Sequence, residues 1–253
     1  MTTATSSIQV IDRAARLLRA IADYREPVSL KILAADTDLH PSTAFRILGS
    51  LSDNGLVERD AASRYVLGKK LAQLAQRVPR GTDLREEALP VMQALRDKIG
   101  ETVNLTVREG DEVIYIERAT PQRMMRVEQV IGSRAPLHVT AVGKLMLADL
   151  GDTFLKSYAK RTGLKAYTRH TLSSVRRLAL AVHQSQKNGF AYDDEEAEEG
   201  VGCIGVLIYG SSGTVVAGLS ISAPIERRRD EWAPLLKQTG IEISQRLGFR
   251  GNK

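Results

Sequence analysis

The 253-residue sequence contains one cysteine, Cys203, so no internal disulfide can form and too few thiolates exist for a structural zinc site. Its four histidines, His40, His138, His170 and His183, do not pair at metal-ligand spacing, and neither a His-Glu-x-x-His run nor a Gly-x-Ser-x-Gly nucleophile elbow occurs. No apolar run approaches the length needed to cross a bilayer. The polar start, Met1-Thr-Thr-Ala-Thr-Ser-Ser7, lacks the basic and apolar regions of a signal peptide. These absences predict a cytoplasmic protein with no membrane partner, no metal and no cofactor. Internal repeats and low-complexity tracts are also missing, while a hydrophobic content of 43% is ordinary for a folded chain long enough for two domains.

Gly143-Lys144 hints at a phosphate-binding loop. The position five before Gly143 is His138, where a glycine is required, and Leu145 stands in place of the magnesium-binding hydroxyl. That reading is rejected, and the chain is not expected to be an enzyme. A cryptic hydrolase stays open only because triads assemble from distant residues.

The net charge of +6 is unevenly spread. Residues 1–80 hold 12 Lys and Arg against 8 Asp and Glu, which favours a polyanion at the N-terminal end. A mildly basic solvated surface would give the same balance.

The stretch from Ser29 to Gly68 reads as a helix-turn-helix followed by a β-wing. Leu30, Leu33 and Ala34 fall at helical spacing behind Ser29, a residue suited to accept from first-turn N–H groups. After the turn Thr37-Asp-Leu-His40, Pro41 opens a second helix that Asn54-Gly55 stops. Its stripe of Ala44, Ile47, Leu48 and Leu51 leaves Ser42, Thr43, Arg46 and Ser50 opposite, short hydroxyls and one arginine suited to base edges and phosphates. Leu56–Arg59 and Tyr65–Leu67 read as two strands, with Arg59 and Arg64 placed to lie over a phosphate backbone. The same helices without DNA would make a three-helix structural module.

Ile8–Ala22 is an amphipathic helix with a stripe of Val10, Ile11, Ala14, Leu17, Leu18 and Ile21, and spare apolar width is available to a partner subunit. Leu71, Leu74, Ala75 and Val78 suggest a further helix, either a linker or part of a second core, broken at Pro79-Arg-Gly81. Beyond it come a helix from Asp83 to Ile99 and a hairpin of Thr102–Arg108 with Glu112–Glu117. A strand is expected at Met124–Gln129 and helices at Ala141–Leu150 and Ser173–Asn188. A second hairpin joins Cys203–Tyr209 to Val215–Ser222, and a helix from Glu231 to Leu247 closes the chain. Strands mixed with flanking helices predict an α+β domain around an antiparallel sheet.

This order of motifs resembles the isocitrate-lyase-regulator (IclR) family of bacterial transcription factors over almost the whole chain. The carriers are Leu39-His-Pro-Ser-Thr-Ala-Phe-Arg-Ile-Leu48, Gly55-Leu-Val-Glu-Arg59, Tyr65-Val-Leu-Gly68, Gly132-Ser-Arg-Ala-Pro-Leu-His138 leading to Thr140-Ala-Val-Gly-Lys144, Gly189-Phe-Ala-Tyr-Asp-Asp-Glu-Glu196, Gly200-Val-Gly-Cys203 and Leu219-Ser-Ile-Ser222. The resemblance implies a winged helix-turn-helix domain over residues 1–68, a linker helix over 69–82 and a GAF-like effector-binding domain over 83–253. It also implies homodimers or dimers of dimers on double-stranded operator DNA, and an effector that is a small organic or aromatic acid, probed first as a carboxylic acid. The family's pocket maps onto the backbone N–H groups of Ala141 and Val142, and onto Asp193, Cys203, Ser220 and Ser222. A helix N-terminus with free N–H groups does hold anions, and residues two apart in a strand, such as Ser220 and Ser222, share a face.

Each pocket residue also has a plain reading: an outward strand serine, a small core thiol, a solvated acidic turn. Two departures from the family pattern bear on which ligand fits. Val142 stands where small residues are common, and Gly205 replaces a usual alanine after the cysteine. The alternative to a ligand-responsive regulator is an architectural nucleic-acid binder with no sensing cavity, recognisable by salt-dependent but sequence-blind binding.

Overall fold

The structure is a computed structural model that describes residues 8–24, 26–75 and 83–251. The chain divides into two compact units, residues 1–80 and 81–253.

In the first unit, helices α1 (Gln9–Ala22), α2 (Leu30–Asp36) and α3 (Pro41–Asp53) precede a hairpin of β1 (Val57–Arg59) and β2 (Tyr65–Leu67). Apolar stripes on the three helices converge: Leu17 and Ile21, Leu33 and Ala34, and Ala44, Ile47, Leu48 and Leu51 pack with Val28, Val57 and Tyr65 in one core. Val28 adds an antiparallel bridge to Tyr65, fixing the hairpin to the chain entering α2. The ring of His40 caps α3 by accepting the Ser42 N–H at 3.3 Å, with proline at the first helical position. A helix α4 (Lys69–Ala75) follows the hairpin. The remainder of the segment expected to be a linker, residues 76–82, lies outside the described residues.

The second unit is built on a six-stranded sheet of order β5-β4-β3-β8-β7-β6, antiparallel at every pairing. Its strands are β3 (Thr102–Glu109), β4 (Glu112–Ala119), β5 (Arg134–Pro136), β6 (Ala191–Asp194), β7 (Val201–Tyr209) and β8 (Val215–Pro224). Helix α5 (Leu84–Ile99) is capped by Asp83, whose carboxylate accepts the Arg85 N–H, and ends at Gly100 with φ 70°. Helices α6 (Ala141–Thr162), α7 (Val175–Asn188) and α8 (Trp232–Arg246) complete the unit. Strand alternation sends Val103, Leu105, Ile204, Val206, Leu219 and Ile221 into an apolar core with α5 and α8. On the other face Val113 and Val142 pack with Met146, Leu155, Leu178 and Val182 beneath α6 and α7. The architecture is mixed α+β, as the sequence predicts.

Three local readings change. Residues 124–129 form no strand, because side chains rather than a ladder take up their carbonyls: Thr102 Oγ1 donates to Val127 O at 2.6 Å, and Arg118 donates to Gln129 O. The edge strand on β4 is instead Arg134–Pro136. Helix α6 continues past Leu150 to Thr162, crossing one non-helical residue, Gly151, at φ 81° and ψ 171°. Among the described residues no helix is long and apolar enough to cross a membrane.

Candidate nucleic-acid interface and ligand site

Burial of the α3 stripe forces the rest of that helix outward. Ser42, Arg46 and Ser50 are exposed and Thr43 is half-buried, so all four expected contact residues reach the surface of one helix. Thr43, Arg46 and Ser50 also border a groove shared with Val10 and Ile11 of α1. Phe45 joins them with 49% exposure, a large ring outside the core that the sequence reading passed over. Apolar contact of this kind suits a thymine methyl. At the hairpin both arginines are exposed, but they differ in engagement. Arg59 lies over the Tyr65 ring at 5.5 Å, whereas Arg64 forms an ion pair with Asp60 at 2.8 Å. That pair and the Arg64 N–H bond to Asp60 Oδ1 fix the turn.

In the second unit, the strand residues that alternate with the α5/α8 core include a polar group beside the apolar Val113 and Leu207. Register lines them up in rows: Asp193 opposite Cys203, which is opposite Ser222, which is opposite Thr102. In the next row Gly205 lies opposite Ser220 and Ser220 opposite Asn104, and beyond them Gly218 pairs with Thr106 and Thr106 with Tyr115. Asn104 Nδ2 donates to Ser222 Oγ at 3.1 Å, and Cys203 Sγ lies 3.2 Å from the same oxygen.

The start of α6 lies on these rows. Thr140 Oγ1 accepts the Gly143 N–H at 3.1 Å, while helix geometry leaves the N–H groups of Ala141 and Val142 without intrahelical acceptors. A Cβ on Gly205 would stand 2.7 Å from Val142 N and 2.9 Å from its Cγ1, and one on Gly218 would stand 2.7 Å from Val142 Cβ. The two departures noted in the sequence are therefore one adjustment: the larger side chain at position 142 is seated on two bare glycines. All six expected pocket residues are buried, Cys203 being the most exposed at 8%. A separate cavity of about 290 Å³, lined by Leu145, Asp149, Tyr209, Lys237 and Phe249 among others, includes none of the six.

Electrostatics sharpen the arrangement. Lys144 and Glu196 form an ion pair with side chains only 3% and 7% exposed, which accounts for the lysine of the rejected phosphate loop. The Glu196 N–H donates to Asp193 Oδ1 at 2.8 Å. Burial pushes the Asp193 carboxyl up to about 7 against the pull of Lys144, and burial likewise raises Glu196. It also holds the Cys203 thiol and the Tyr115 phenol protonated, so the thiol is no nucleophile. Two buried acceptors of this cluster, Asn104 Oδ1 and Glu196 Oε2, have no partner.

His138 is fully engaged elsewhere. Nε2 lies 3.0 Å from Lys165 O, which only accepts, so Nε2 carries the proton and Nδ1 accepts from Tyr158 Oη at 2.6 Å. Burial lowers its basicity. His183 pairs with Asp152 on an exposed surface. Thr102, Asn104, Thr106 and Tyr115 are the polar strand residues of the cluster that sequence reasoning missed, and Lys144 and Glu196 join them from outside the strands. The strand alternation was visible, but the pairing that gathers these residues was not.

Comparison with known proteins agrees with this layout. Residues 10–61 match the model of the IclR helix-turn-helix domain, and residues 76–245 match that of the bacterial transcriptional regulator IclR C-terminal domain. The chain is 29% identical over 247 residues to the HTH-type transcriptional regulator XynR of Escherichia coli, covering 96% of this chain and 98% of that protein. It is 31% identical over 231 residues to the transcriptional repressor IclR of E. coli, covering 89% and 84%. Among solved structures, Thermotoga maritima IclR superposes with a TM-score of 0.69 at 31% identity, over 96% of this chain and all of that one. An IclR homologue from Microbacterium hydrocarbonoxydans, complexed with 4-hydroxybenzoate, gives a TM-score of 0.82 at 24% identity, over 94% and 98%.

Proposed function

Because the chain belongs to the IclR family of bacterial transcriptional regulators, we propose that it is a regulator of a catabolic operon whose grip on operator DNA is set by a small organic or aromatic acid. It is a DNA-binding regulator rather than an enzyme, in keeping with relatives named as regulators. In this reading residues 1–68 hold the operator, 69–82 relay the signal and 83–253 sense the acid. Ser42, Thr43, Arg46 and Ser50 meet the major groove, with Arg59 and Arg64 at the phosphates. Ala141 and Val142 offer N–H groups to an anionic oxygen while Asp193, Cys203, Ser220 and Ser222 contact the rest.

One observation carries the sensing half of the proposal: a polar row crosses a buried sheet face directly under a helix N-terminus. Polar groups taken from water cost free energy unless satisfied, so a purely architectural DNA binder has no use for them. Support for an acid comes from the field of the helix terminus, and a protein of this fold was crystallised with 4-hydroxybenzoate. A dimer would place two α3 helices in successive major grooves of a pseudo-palindromic site, roughly one helical turn apart. The acid then shifts operator affinity by its differential binding to two arrangements of the protein. Whether that shift represses or activates depends on operator position.

The test is a gel-shift titration with duplex selected by the protein from random DNA. Arg46→Ala is expected to lose about fivefold to 150-fold in specific affinity, the value of one good base or phosphate fork, with an unchanged melting temperature. Equal affinity of variant and parent removes α3 from the DNA.

A further inference from the structure

The polar cluster beneath α6 has two chemically different ends. At one, the N–H groups of Ala141 and Val142 lie over Gly205 and offer only donors. At the other an acceptor stands unmet: Asn104 Oδ1 is fully buried with no partner, while one N–H of its amide nitrogen donates to Ser222 Oγ at 3.1 Å. Register places Asn104 directly opposite Ser220, and Ser220 opposite Gly205, so the orphan acceptor is on the same face and in the same row as the helix terminus.

A bare carboxylic acid answers one end only. Its oxygens suit the N–H groups, but an alkyl chain or an oxo group brings nothing for Asn104 Oδ1, and a second carboxylate would meet it acceptor to acceptor. We infer that the effector is a hydroxy acid, its carboxylate held at the start of α6 and a hydroxyl donating to Asn104 Oδ1. The inference rests on the sensing role proposed above and narrows it. Two strand spacings, roughly 9–10 Å, separate the row positions of Gly205 and Asn104. A molecule that reaches from one position to the other needs a few carbons between its carboxylate and its hydroxyl, with hydrogen bonds of about 3 Å at each end. An amino acid fits less well. Its ammonium would need an ionised carboxylate, whereas Lys144 already pairs with Glu196 and burial raises Asp193 to about 7, disfavouring its charged form.

Leaving a buried acceptor unmet is what discriminates against an analogue without the hydroxyl. The experiment titrates the full chain calorimetrically with matched acids: glycerate and alanine against propionate, 3-hydroxybutyrate against butyrate, and 4-hydroxybenzoate against benzoate. At least one hydroxy acid is expected to bind about tenfold or more tighter than its deoxy partner. In Asn104→Ala, which removes the acceptor without adding bulk, that advantage is expected to vanish while the deoxy acid keeps its affinity. The comparison within the parent protein stands whether or not this variant folds. Equal affinities within every pair, tighter binding of alanine than of glycerate, or no binding by any hydroxy acid overturns the inference. The same titrations on Ser220→Ala with Ser222→Ala separate the two levels of the argument. Acids that need the serines but ignore the hydroxyl sink only the hydroxy-acid assignment, whereas acids indifferent to the serines sink the site itself.

Discussion

The two faces of the six-stranded sheet share the same backbone and differ residue by residue. Toward α5 and α8 the strands present Leu105, Ile204, Val206, Leu219 and Ile221, each nearly or wholly inaccessible. Toward α6 they present Asn104, Thr106, Cys203, Ser220 and Ser222, and these too are buried. The first face stabilises the unit by removing apolar surface from water. The second takes hydroxyls, an amide and a carboxyl from water and leaves Asn104 Oδ1 unmet, which stability alone does not explain. The sheet is apolar toward α5 and α8 and carries a buried polar row beside the Val113 cluster toward α6, and the proposed sensing role assigns the ligand to that row.

That division can be broken by substitution. Leu219→Ala, on the apolar face, is expected to cost about 2–5 kcal/mol in urea unfolding through lost contacts and the cavity left behind, and to leave the ratio of acid affinities unchanged. A value below 1 kcal/mol, at the surface level, would erase the contrast. Gly205→Ala comes next. Its new methyl meets Val142 N and Cγ1 inside 3 Å, an overpacking worth about 1–3 kcal/mol. The side-chain part of that penalty, the contact with Cγ1, is expected to be relieved in a Val142→Ala background while the contact with the backbone nitrogen stays, and strictly additive effects in that double-mutant cycle would show that the glycine and the valine are not one adjustment.

Smaller effects sharpen the polar side. Ser222→Ala removes the acceptor of Asn104 Nδ2, and about 1 kcal/mol is expected from the same denaturation curves. Asp193 supplies a pH signature. Its carboxyl is raised from 3.8 to about 7 by burial, so the native state keeps a proton that the unfolded chain releases. Its stabilising contribution is therefore complete below about 4 and is lost as pH rises toward 7. The stability of the parent minus that of Asp193→Asn is expected to fall across that window. A flat difference would mean that the carboxyl is not held protonated. His138, lowered by burial, works in the opposite direction and is common to both proteins.

How far the sequence reveals these features depends on distance along the chain. The outward face of α3 follows from a repeat of 3.6 and two punctuation marks, Pro41 and Asn54-Gly55, all within one helix. Even there His40 as the cap was hidden, because a histidine ring is an unusual choice for that position. Ser220 and Ser222 were legible as a pair because they are two apart on one strand. Asn104 was not, since its partner Ser222 is 118 residues away and only strand order β3-β8 makes them neighbours. The link between Val142 and Gly205 was hidden for the same reason. Residues 124–129 misled because the side-chain donors that take up their carbonyls, Thr102 and Arg118, lie on β3 and β4, outside that segment.

In the proposed function, a molecule bound under α6 changes the hold of α3 on DNA. Fluorescence anisotropy of a labelled, selected operator duplex, titrated with protein with and without a saturating acid from the calorimetric panel, tests it directly. The account predicts an operator Kd that moves at least about fivefold on adding the acid and does not move in Ser220→Ala with Ser222→Ala. An acid that saturates the parent protein while its operator Kd stays the same would contradict it.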